Sequence, residues 1–278
     1  MKVVSLRGKG KIERFLRCDP YLHLYEIGDL DDLYFDHTTW YALQGDRKDR
    51  DGDEIRALAL LYTGTSMPVV LCFEADPADA VRRLLPEIRD ALPERFYAHL
   101  SPGVSDALAD SHRIESHGTF LKMAWIDRGA LDGVETAGVQ ALSANDISDL
   151  QTLYETSYPG HWFEPGMLSA GHYYGLRQDG ELVCVAGVHV YSRRYRVAAL
   201  GNIATHPRAR GKGLARRVTA KLCRELAGSA DWIGLNVKDD NAPAIACYER
   251  LGFRRWAVYE ELTLGCADCG MKNGDIAG

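Results

Sequence analysis

The sequence predicts a mixed α/β protein (an α+β mixed sheet) built from two consecutive units. Its 278 residues are enough for one large domain or for two domains of ordinary size. Strand-like runs alternate with amphipathic helical segments along the whole chain. A Gly- and Asp-rich break, DRGALDG at residues 127–133, separates two halves in which helices and strands follow the same order. We therefore expect a first domain at residues 1–130, a second at 131–265 and a flexible tail at 266–278.

The pattern of the first half predicts a helical region, three strands, a helix, a strand, a short helix and a last strand. The predicted helix after the third strand is amphipathic, because its apolar residues recur on one stripe: Val81, Leu84, Leu85, Ile88 and Leu92. In chain order the predicted elements are helix Lys11–Asp36, strands WYALQ, IRALALLY and PVVLCFEA, helix Asp79–Leu92, strand RFYAHL, helix Val104–Ala109 and strand TFLKMAWID.

The second half repeats this order, and the residues that favour its turns and helix ends are clearer. A tight turn at Asp179-Gly180 joins two strand-like runs. The helix that starts at the glycines near 211–213 has an apolar stripe of Leu214, Val218, Leu222 and Leu226, and Gly228 favours its end. In chain order the predicted elements are strand Val134–Leu142, helix Asn145–Glu155, an irregular or helical PGHWFEPGML, strands YYGLRQ, ELVCVAGVHVYS and RVAALGNIATHP, the glycine-started helix, strand DWIGLNV, helix NAPAIACYERLG and strand FRRWAVYEELTL.

Composition excludes several functional classes. The chain is 46% hydrophobic and 26% charged with a formal net charge of −6, which argues against nonspecific binding to nucleic acid or membranes. No segment approaches the roughly 20 apolar residues of a membrane span, and the N-terminus lacks the apolar run of a signal peptide. Seven cysteines, an odd number, favour reduced thiols. We expect a cytoplasmic protein.

A basic loop stands out on this acidic chain. In THPRARGKGLARR, residues 205–217, five of the ten residues from Arg208 to Arg217 are Arg or Lys. A P-loop needs Ser or Thr after Gly-Lys, whereas Gly213 follows Lys212 here. A dinucleotide fingerprint needs a third glycine, and that position is Arg216. Helix-start amides beside glycines still favour a small anion, although a solvated basic helix start is the plain alternative.

A second stretch, NAPAIACYERLGF, helps to decide between an anion-binding loop and a solvated basic helix start. Asn241 and Tyr248 are seven residues apart, so they share one face of the predicted helix. Tyr248 lies among apolar residues, and a buried tyrosine needs a partner for its hydroxyl.

The two stretches together resemble the GNAT superfamily of acyl-CoA N-acyltransferases. The order that carries this resemblance is a strand, R-x-x-G-x-G, a helix, a strand and then N-x-x-A-x-x-x-Y-x-x-x-G-F. RARGKG and NAPAIACYERLGF carry the resemblance, which covers about Val134 to Leu264. The first half resembles a degenerate second GNAT-like unit in element order only, as in tandem glycine N-acyltransferase-like and mycothiol-synthase-like enzymes. The resemblance implies two mixed, largely antiparallel sheets flanked by helices.

The resemblance also implies how CoA is bound. Acetyl-CoA, or another acyl-CoA, is the implied co-substrate, and no metal is expected. Two strands should splay where its pantetheine arm pairs with Ile203, Ala204 and Thr205. Asn241 is a further implied cofactor-binding residue. The diphosphate should lie on the loop and helix start formed by Arg208, Arg210, Gly211, Lys212, Gly213, Leu214 and Ala215.

For catalysis, the resemblance implies that Tyr248 protonates the leaving sulfur, with a plain core tyrosine as the alternative. A backbone amide on GNIAT is the expected oxyanion donor. Many family members carry Glu or Asp on this strand, but this sequence has Leu-Gly-Asn at 200–202, so Asn202 is expected to bind the acceptor. His189 is the nearest titratable candidate base.

Several alternatives stay open at the catalytic centre. Glu181 and Glu164 lie further off than His189, and a chain of water molecules is an equal alternative base. Cys184 or Cys247 would suggest a covalent acyl-enzyme, but a buried apolar role for both is favoured. Cys266 and Cys269 form a lone C-x-x-C without the second ligand pair that zinc needs.

We therefore expect an N-acyltransferase that moves an acetyl or other acyl group from CoA to a small amine or amino acid, acting as a monomer or homodimer. One alternative is a silent acyl-CoA sensor or scaffold, which the missing strand carboxylate supports. Another is a tRNA-dependent aminoacyl transferase, which the acidic balance disfavours. In the first half the equivalent loop, CFEADPADA, has no Gly and carries Glu74, Asp76 and Asp79, which predicts a single CoA site per chain.

Overall fold

The structure, a computed structural model, describes residues 1–49, 52–73, 79–160 and 162–266. The α-helices in these ranges are α1 (Lys9–Leu16), α2 (Leu24–Gly28), α3 (Asp32–Phe35), α4 (Asp79–Ile88), α5 (Ile147–Ser157), α6 (Leu214–Leu226) and α7 (Ala242–Glu249). The β-strands are β1 (Lys2–Leu6), β2 (Thr38–Asp49), β3 (Gly52–Tyr62), β4 (Val69–Cys72), β5 (Arg95–Leu100), β6 (His112–Trp125), β7 (Gln140–Ala141), β8 (Tyr174–Gln178), β9 (Glu181–Ser192), β10 (Val197–Thr205), β11 (Trp232–Lys238) and β12 (Phe253–Cys266).

These elements form two compact units, and each unit takes a segment from the other half of the sequence. The first unit comprises residues 1–15, 34–120 and those from 258 onward, and the second comprises 16–33 and 121–257. A single boundary at residue 130 therefore does not separate the compact units. The domains 1–130 and 131–265 stay a prediction, and the predicted tail, with Cys269, lies outside the described residues beyond 266.

The first unit is a mixed sheet with a helix on one face. Strands β1 to β4 pair antiparallel in chain order, β4 pairs parallel with β5, and β5 pairs antiparallel with the end of β12. The parallel pair needs a crossover, and α4 supplies it. The α4 stripe is buried as predicted, with Val81, Leu84, Leu85 and Ile88 in one core with Phe96, Ala98 and Leu100.

The second unit follows the same plan. Strands β7 to β10 pair antiparallel in chain order, β10 pairs parallel with β11, and β6 follows β11 in the strand order. Helix α6 is the crossover of the parallel pair, and its predicted stripe is buried in the core: Leu214, Val218, Leu222 and Leu226. The prediction of mixed, largely antiparallel sheets flanked by helices is confirmed.

The turn between β8 and β9 shows how the sequence sets the register of this sheet. Asp179 and Gly180 both have positive φ, 52° and 85°. Two central residues with positive φ form the type I′ turn, whose twist matches that of the strands it joins, and Asp-Gly suits it. The predicted tight turn at this place is confirmed.

Several predicted elements were wrong in extent. The strand predicted at Val134–Leu142 shortens to the two residues of β7, because Val134 is buried in the core beside Leu131 instead of alternating along a strand. The helical pattern predicted from Lys11 to about Asp36, expected as two helices, forms the three short helices α1, α2 and α3. The helix predicted at Asp79–Leu92 is α4 continued by a 3-10 turn at Arg89–Ala91, and strand β1 had no predicted counterpart.

Residues 16–33 are firmly packed within the second unit. A Cβ on Gly28 would overlap the Cγ1 atom of Val190, so α2 lies directly against β9. Ser192 Oγ donates a hydrogen bond of 2.5 Å to Asp31, and Arg17 donates one of 2.9 Å to the Tyr195 carbonyl. This segment is consequently part of the scaffold of the second unit.

The described residues contain neither a membrane-spanning helix nor a metal-binding cluster. Within the residues that the structure describes, the helices are all too short or too polar to cross a membrane. The same residues hold no cluster of three or more His, Cys, Asp or Glu side chains arranged to bind a metal ion.

Candidate active site

The centre of the second unit is a cleft between two parallel strands. Strands β10 and β11 pair only from Val197–Trp232 to Leu200–Leu235. Beyond Leu200, β10 continues to Thr205 and keeps β9 as its neighbour, with a shift of register between Gly201 and Ala204. The backbone of β10 beyond Leu200 therefore has an unpaired edge on the β11 side. This is the splay of two strands that the resemblance implied, and Ile203–Thr205 lie along it.

Asn202 occupies the bulge at the start of this edge. Its φ of 52° is a strained conformation for a residue other than glycine, and its side chain is 3% exposed. Its Nδ2 donates a hydrogen bond of 3.0 Å to the Tyr173 hydroxyl, and its carbonyl accepts one of 2.9 Å from Tyr154. The buried Oδ1 has no hydrogen-bond partner among the described residues. An acceptor atom is thus left open at the bulge.

The glycine loop follows β10 directly. His206-Pro207 closes the strand, and Pro207–Ala209 form a short 3-10 turn in which His206 Nδ1 accepts the Arg208 amide. Gly211 and Gly213 have φ of 75° and 72°, and a Cβ on either would meet no atom within 4 Å. Glycine is therefore needed at both positions for the left-handed backbone rather than for lack of space.

The loop presents a row of free amides. In the part of the chain that is described, the amides of Gly211, Lys212, Gly213 and the first turn of α6 find no backbone acceptor. Gly213 is the N-cap of α6 and has no side chain to bond them. With the positive end of the helix dipole, these amides form a favourable site for a phosphate group.

The cationic side chains of the loop have different partners. Arg208 forms an exposed ion pair with Glu181. Arg210 donates hydrogen bonds of 3.2 Å to the carbonyls of Thr205 and Ser157, which ties the loop to β10 and α5. Lys212 is exposed and has no ion pair among the described side chains. Lys212 is therefore the loop cation that is most available to an anion.

Tyr248 lies on α7 with its ring in the core. It is 7% exposed and packs against Phe253, with ring centroids 6.0 Å apart. Burial first, and then neighbouring Cys247, Tyr158 and Cys184, raise the pKa of its hydroxyl, so the phenol is protonated at neutral pH. No described group makes a hydrogen bond with that hydroxyl. The proton is thus available to a bound substrate.

Asn241 is the N-cap residue at the start of the same helix. Its Oδ1 accepts the Ala244 amide at 3.3 Å and so caps α7. The predicted contact of Asn241 with a cofactor stays a prediction.

His189 lies on β9 next to the bulge. Its ring rests on Gly201, since a Cβ there would overlap the imidazole. Its Nδ1 is 3.2 Å from the Tyr25 hydroxyl, and its buried Nε2 has no hydrogen-bond partner among the described residues. Burial lowers the pKa of the ring, and Asn202 opposes this shift. A neutral, buried imidazole therefore lies within hydrogen-bonding reach of the Asn202 side chain.

An indole borders the open side of this pair. Trp162 is 45% exposed, and its ring centroid is 5.6 Å from that of His189. An exposed aromatic face beside two open polar atoms is a suitable wall for a small organic molecule.

Comparison with known proteins identifies this region. Residues 141–253 match the model of the acetyltransferase (GNAT) family. This part of the chain is similar to a GNAT acetyltransferase domain, and we refer to it below as the GNAT domain. It contains the glycine loop and the candidate catalytic residues His189 and Tyr248.

Two curated relatives are similar to parts of this chain. The mycothiol acetyltransferase of Salinispora tropica is 31% identical over 107 residues, which are 37% of this chain and 34% of that protein. The N-alpha-acetyltransferase RimI of Mycobacterium tuberculosis is 34% identical over 88 residues, which are 30% of this chain and 52% of that protein. The match spans about a third of the length of the first relative and about half of the second.

Solved structures extend the likeness beyond the GNAT domain. A protein of Novosphingobium aromaticivorans assigned to the GNAT family is 25% identical with a TM-score of 0.53, over 70% of this chain and 84% of that one. A tandem GNAT protein from the clavulanic acid biosynthesis pathway has a TM-score of 0.54 at 14% identity, over 94% of this chain and 97% of that one. The second likeness concerns the fold alone. It includes the first half, so the expectation of a tandem GNAT fold is confirmed.

Other nucleophiles and bases in the GNAT domain are less suited to chemistry. Burial raises the pKa of the Cys184 thiol to about 12, and Cys184 lies 3.2 Å from the Thr205 hydroxyl. Burial also raises the pKa of Cys247. Glu181 is held by Arg208, and Glu164 is exposed. These environments agree with a structural role for both thiols and leave His189 as the best placed base.

The equivalent region of the first unit differs from the GNAT domain. Strands β4 and β5 stay paired from Val69–Tyr97 to Cys72–Leu100, and the Ser101 amide continues the pairing to the Cys72 carbonyl at 3.3 Å. Within the described residues these two strands are therefore paired up to the end of β4 at Cys72. Glu74 and Asp76 of the predicted loop lie outside the described residues, and Asp79 begins α4.

Sequence reasoning missed the aromatic residues that surround the bulge. Tyr154 and Tyr173 bond Asn202, Trp162 borders His189, and Tyr25 bonds it from more than 160 positions earlier in the chain. The run HYY at 172–174 and the neighbouring HWF at 161–163 were signals of an aromatic site. Nothing in the sequence signalled Tyr25, because its segment precedes the apparent domain boundary.

Proposed function

We propose that this protein is an acyl-CoA-dependent N-acyltransferase that moves an acetyl group from acetyl-CoA directly to an amine. The observation that carries the proposal is the cleft between β10 and β11, which opens beyond Leu200 and leads to the free amides of the glycine loop. An extended, amide-bearing arm with an anionic end fits an unpaired strand edge followed by a helix-start anion site.

Acetyl-CoA would be held by backbone more than by side chains. The amides from Gly211 to Ala215 would bind the diphosphate, with Lys212 at the rim. The edge of Ile203–Thr205 would pair with the pantetheine arm. Arg208 and Arg210 would hold the loop in its conformation and would not contact the diphosphate, because Glu181 and backbone carbonyls already bind their guanidinium groups.

The chemical step requires proton transfer at two places. As the amine nitrogen bonds to the thioester carbon and the carbon–sulfur bond breaks, the nitrogen loses a proton and the thiolate gains one. His189 Nε2 would accept the amine proton, either directly or through water. Tyr248 would donate its proton to the sulfur. An amide of the bulge in β10 would stabilise the oxyanion.

The acceptor would be a small amine or an amino acid bound beside Asn202 and Trp162. The open Oδ1 of Asn202 suits an N–H donor, and the exposed indole suits a cationic or apolar group. The names of the two curated relatives refer to different molecules, mycothiol in one and an N-alpha position in the other. A protein N-terminus therefore belongs in any screen of acceptors.

A reducing compartment such as the cytoplasm suits this reaction and this chain. Cys184 and Cys223 are buried thiols that form no disulfide. They support the cytoplasmic location that the cysteine count predicted.

The decisive experiment measures thiol release from acetyl-CoA against a panel of small amines, amino acids and peptide N-termini. Turnover with an acceptor supports the proposal, and mass spectrometry of the product should show an added acetyl group on nitrogen. Binding of CoA by calorimetry without turnover on any acceptor would instead favour the acyl-CoA sensor. Absence of CoA binding would contradict both functions.

A further inference from the structure

The backbone of the β10 bulge is bonded by a hydroxyl from α5. Tyr154 donates a hydrogen bond of 2.9 Å to the Asn202 carbonyl, and the direction of this bond is certain because a carbonyl oxygen can only accept. The Tyr154 ring is fully buried and packs on Phe163, with ring centroids 5.1 Å apart. Burial raises the pKa of the Tyr154 hydroxyl well above its ordinary value, so the donor keeps its proton.

A second hydroxyl bonds the side chain of the same residue. Tyr173 directly precedes β8, and its ring lies on Gly187, where a Cβ would overlap it. The Tyr173 hydroxyl donates a hydrogen bond of 3.3 Å to the Val188 carbonyl and accepts one of 3.0 Å from Asn202 Nδ2. Tyr173 is also fully buried, so water has no access to replace these bonds if the hydroxyl is removed.

The conformation of Asn202 explains why such support is needed. Its φ of 52° lies in the left-handed region, which is unfavourable for a residue with a Cβ. The carbonyl and the next amide of a trans peptide point in opposite directions. Since the Asn202 carbonyl points to the Tyr154 hydroxyl, the Ile203 amide of the same peptide points away from α5.

Helices α5 and α6 cover opposite faces of this sheet. On β9, Val185 belongs to the core that contains α5, whereas its neighbours Cys184 and Ala186 belong to the core that contains α6 and Tyr248. The Ile203 side chain also packs against the second of these cores. An amide that points away from α5 is therefore directed to the face on which the candidate acid lies.

We propose that Tyr154 and Tyr173 are positioning residues that hold Asn202 in its left-handed conformation and thereby direct the Ile203 amide to the oxyanion of the acyl-transfer step. This inference rests on the proposed function, in which an amide of the bulge stabilises that oxyanion. A donor that is fixed before the reaction costs no reorganisation when the charge develops. The two tyrosines would supply this fixation from outside the strand.

Tyr154→Phe in the full chain tests the proposal. Phe keeps the ring that packs on Phe163 and removes the hydroxyl that bonds the Asn202 carbonyl. We expect kcat to fall about tenfold, which is part of the 10²–10³ that one oxyanion donor supplies. The affinity for CoA, which has no acyl carbonyl, should hardly change in calorimetry. Tyr173→Phe should change kcat in the same direction.

An Asn202→Gly background separates positioning from a general structural role. Glycine adopts a left-handed φ without a steric penalty, so the bulge no longer depends on the hydroxyl. In this background Tyr154→Phe should lower kcat by less than about twofold relative to Asn202→Gly alone. An equal fold-loss of kcat in both backgrounds would overturn the proposal.

Tyr174→Phe is the matched control. Tyr174 follows Tyr173 in the chain, but it belongs to the core with α6, and its ring centroid is 5.8 Å from Lys221 Nζ. Loss of its hydroxyl should therefore leave kcat unchanged.

NMR of the ¹⁵N-labelled protein measures the backbone without turnover. The HN–Hα coupling of Asn202 should report a left-handed φ in the wild type and in Tyr174→Phe, and a shift toward extended φ in Tyr154→Phe. An unshifted coupling in Tyr154→Phe would overturn the proposal. If the coupling shifts in a protein that transfers no acetyl group to any acceptor, the proposed function fails while the support of Asn202 by Tyr154 holds.

Discussion

At the scale of single residues, Tyr248 is a buried phenol that we propose as the proton donor to the leaving sulfur. Because burial raises the pKa of its hydroxyl, the group stays protonated at neutral pH and no described residue competes for the proton. We expect Tyr248→Phe to lower kcat by about 10², since the departing thiolate loses its acid, while the affinity for CoA hardly changes. Steady-state kinetics with a saturating acceptor measure this.

A stability measurement separates this role from that of a plain core tyrosine. Phe keeps the ring that packs on Phe253, so the free energy of unfolding should change by less than about 1 kcal/mol. Unchanged kcat together with a large loss of stability would make Tyr248 a core residue only.

His189 is expected to control the pH dependence of the reaction. Its pKa lies below the ordinary value of 6.5, so the ring is neutral and can accept a proton at pH 7. As pH falls through that lowered pKa the base becomes protonated, and kcat/KM should fall on the acid side. In His189→Gln this acid limb should disappear and the rate at pH 7 should drop. A pH profile that keeps the limb in the Gln variant would point to a water chain or to another base.

At the scale of elements, the glycine loop depends on backbone conformation. Gly211 and Gly213 have left-handed φ values that cost a residue with a Cβ about 1–2 kcal/mol. Gly211→Val and Gly213→Val should therefore turn the free amides away from their common ligand and abolish CoA binding in calorimetry. Gly228→Val is the control, because Gly228 also has open space around it and lacks a positive φ. Equal binding by all three variants would show that the diphosphate lies elsewhere.

An element can be predicted from the sequence when the interactions that form it are made between residues that are neighbours in the chain. The turn at Asp179-Gly180 and the α6 stripe arise from neighbouring residues, and the sequence predicted both of them. The strand predicted at Val134–Leu142 was wrong because an apolar run does not show whether its residues alternate across a sheet or enter a core.

The same distinction applies to the candidate site, where some residues lie in continuous motifs and others come together only in the folded chain. The loop and Tyr248 were found because they lie in continuous motifs with fixed spacing. The tyrosines that hold Asn202 and His189 come together through folding, and Tyr25 reaches His189 from the opposite side of the apparent domain boundary. A pattern search within one half of the chain has no means of finding such a contact.

At the scale of the whole molecule, the two units share one plan and differ in a single feature with chemical consequences. Each has an antiparallel run of strands followed by one parallel pair with a crossover helix. In the second unit β10 continues beyond the last pair at Leu200, whereas in the first unit β4 is paired with β5 up to its last residue, Cys72, and residues 74–78 lie outside the described ranges. A closed pair has no free strand edge, so an amide-bearing arm has nothing to pair with.

We therefore expect one CoA site per chain. Calorimetric titration of the full chain with CoA should give a stoichiometry near one, and Gly211→Val should remove all binding rather than half of it. The first unit is then expected to act as scaffold, acceptor wall or subunit contact. A stoichiometry of two, or binding that survives the Gly211 variant, would require an opening between β4 and β5. Hydrogen exchange would detect that opening, because the Ser101 amide, bonded to the Cys72 carbonyl at 3.3 Å, would then lose its protection.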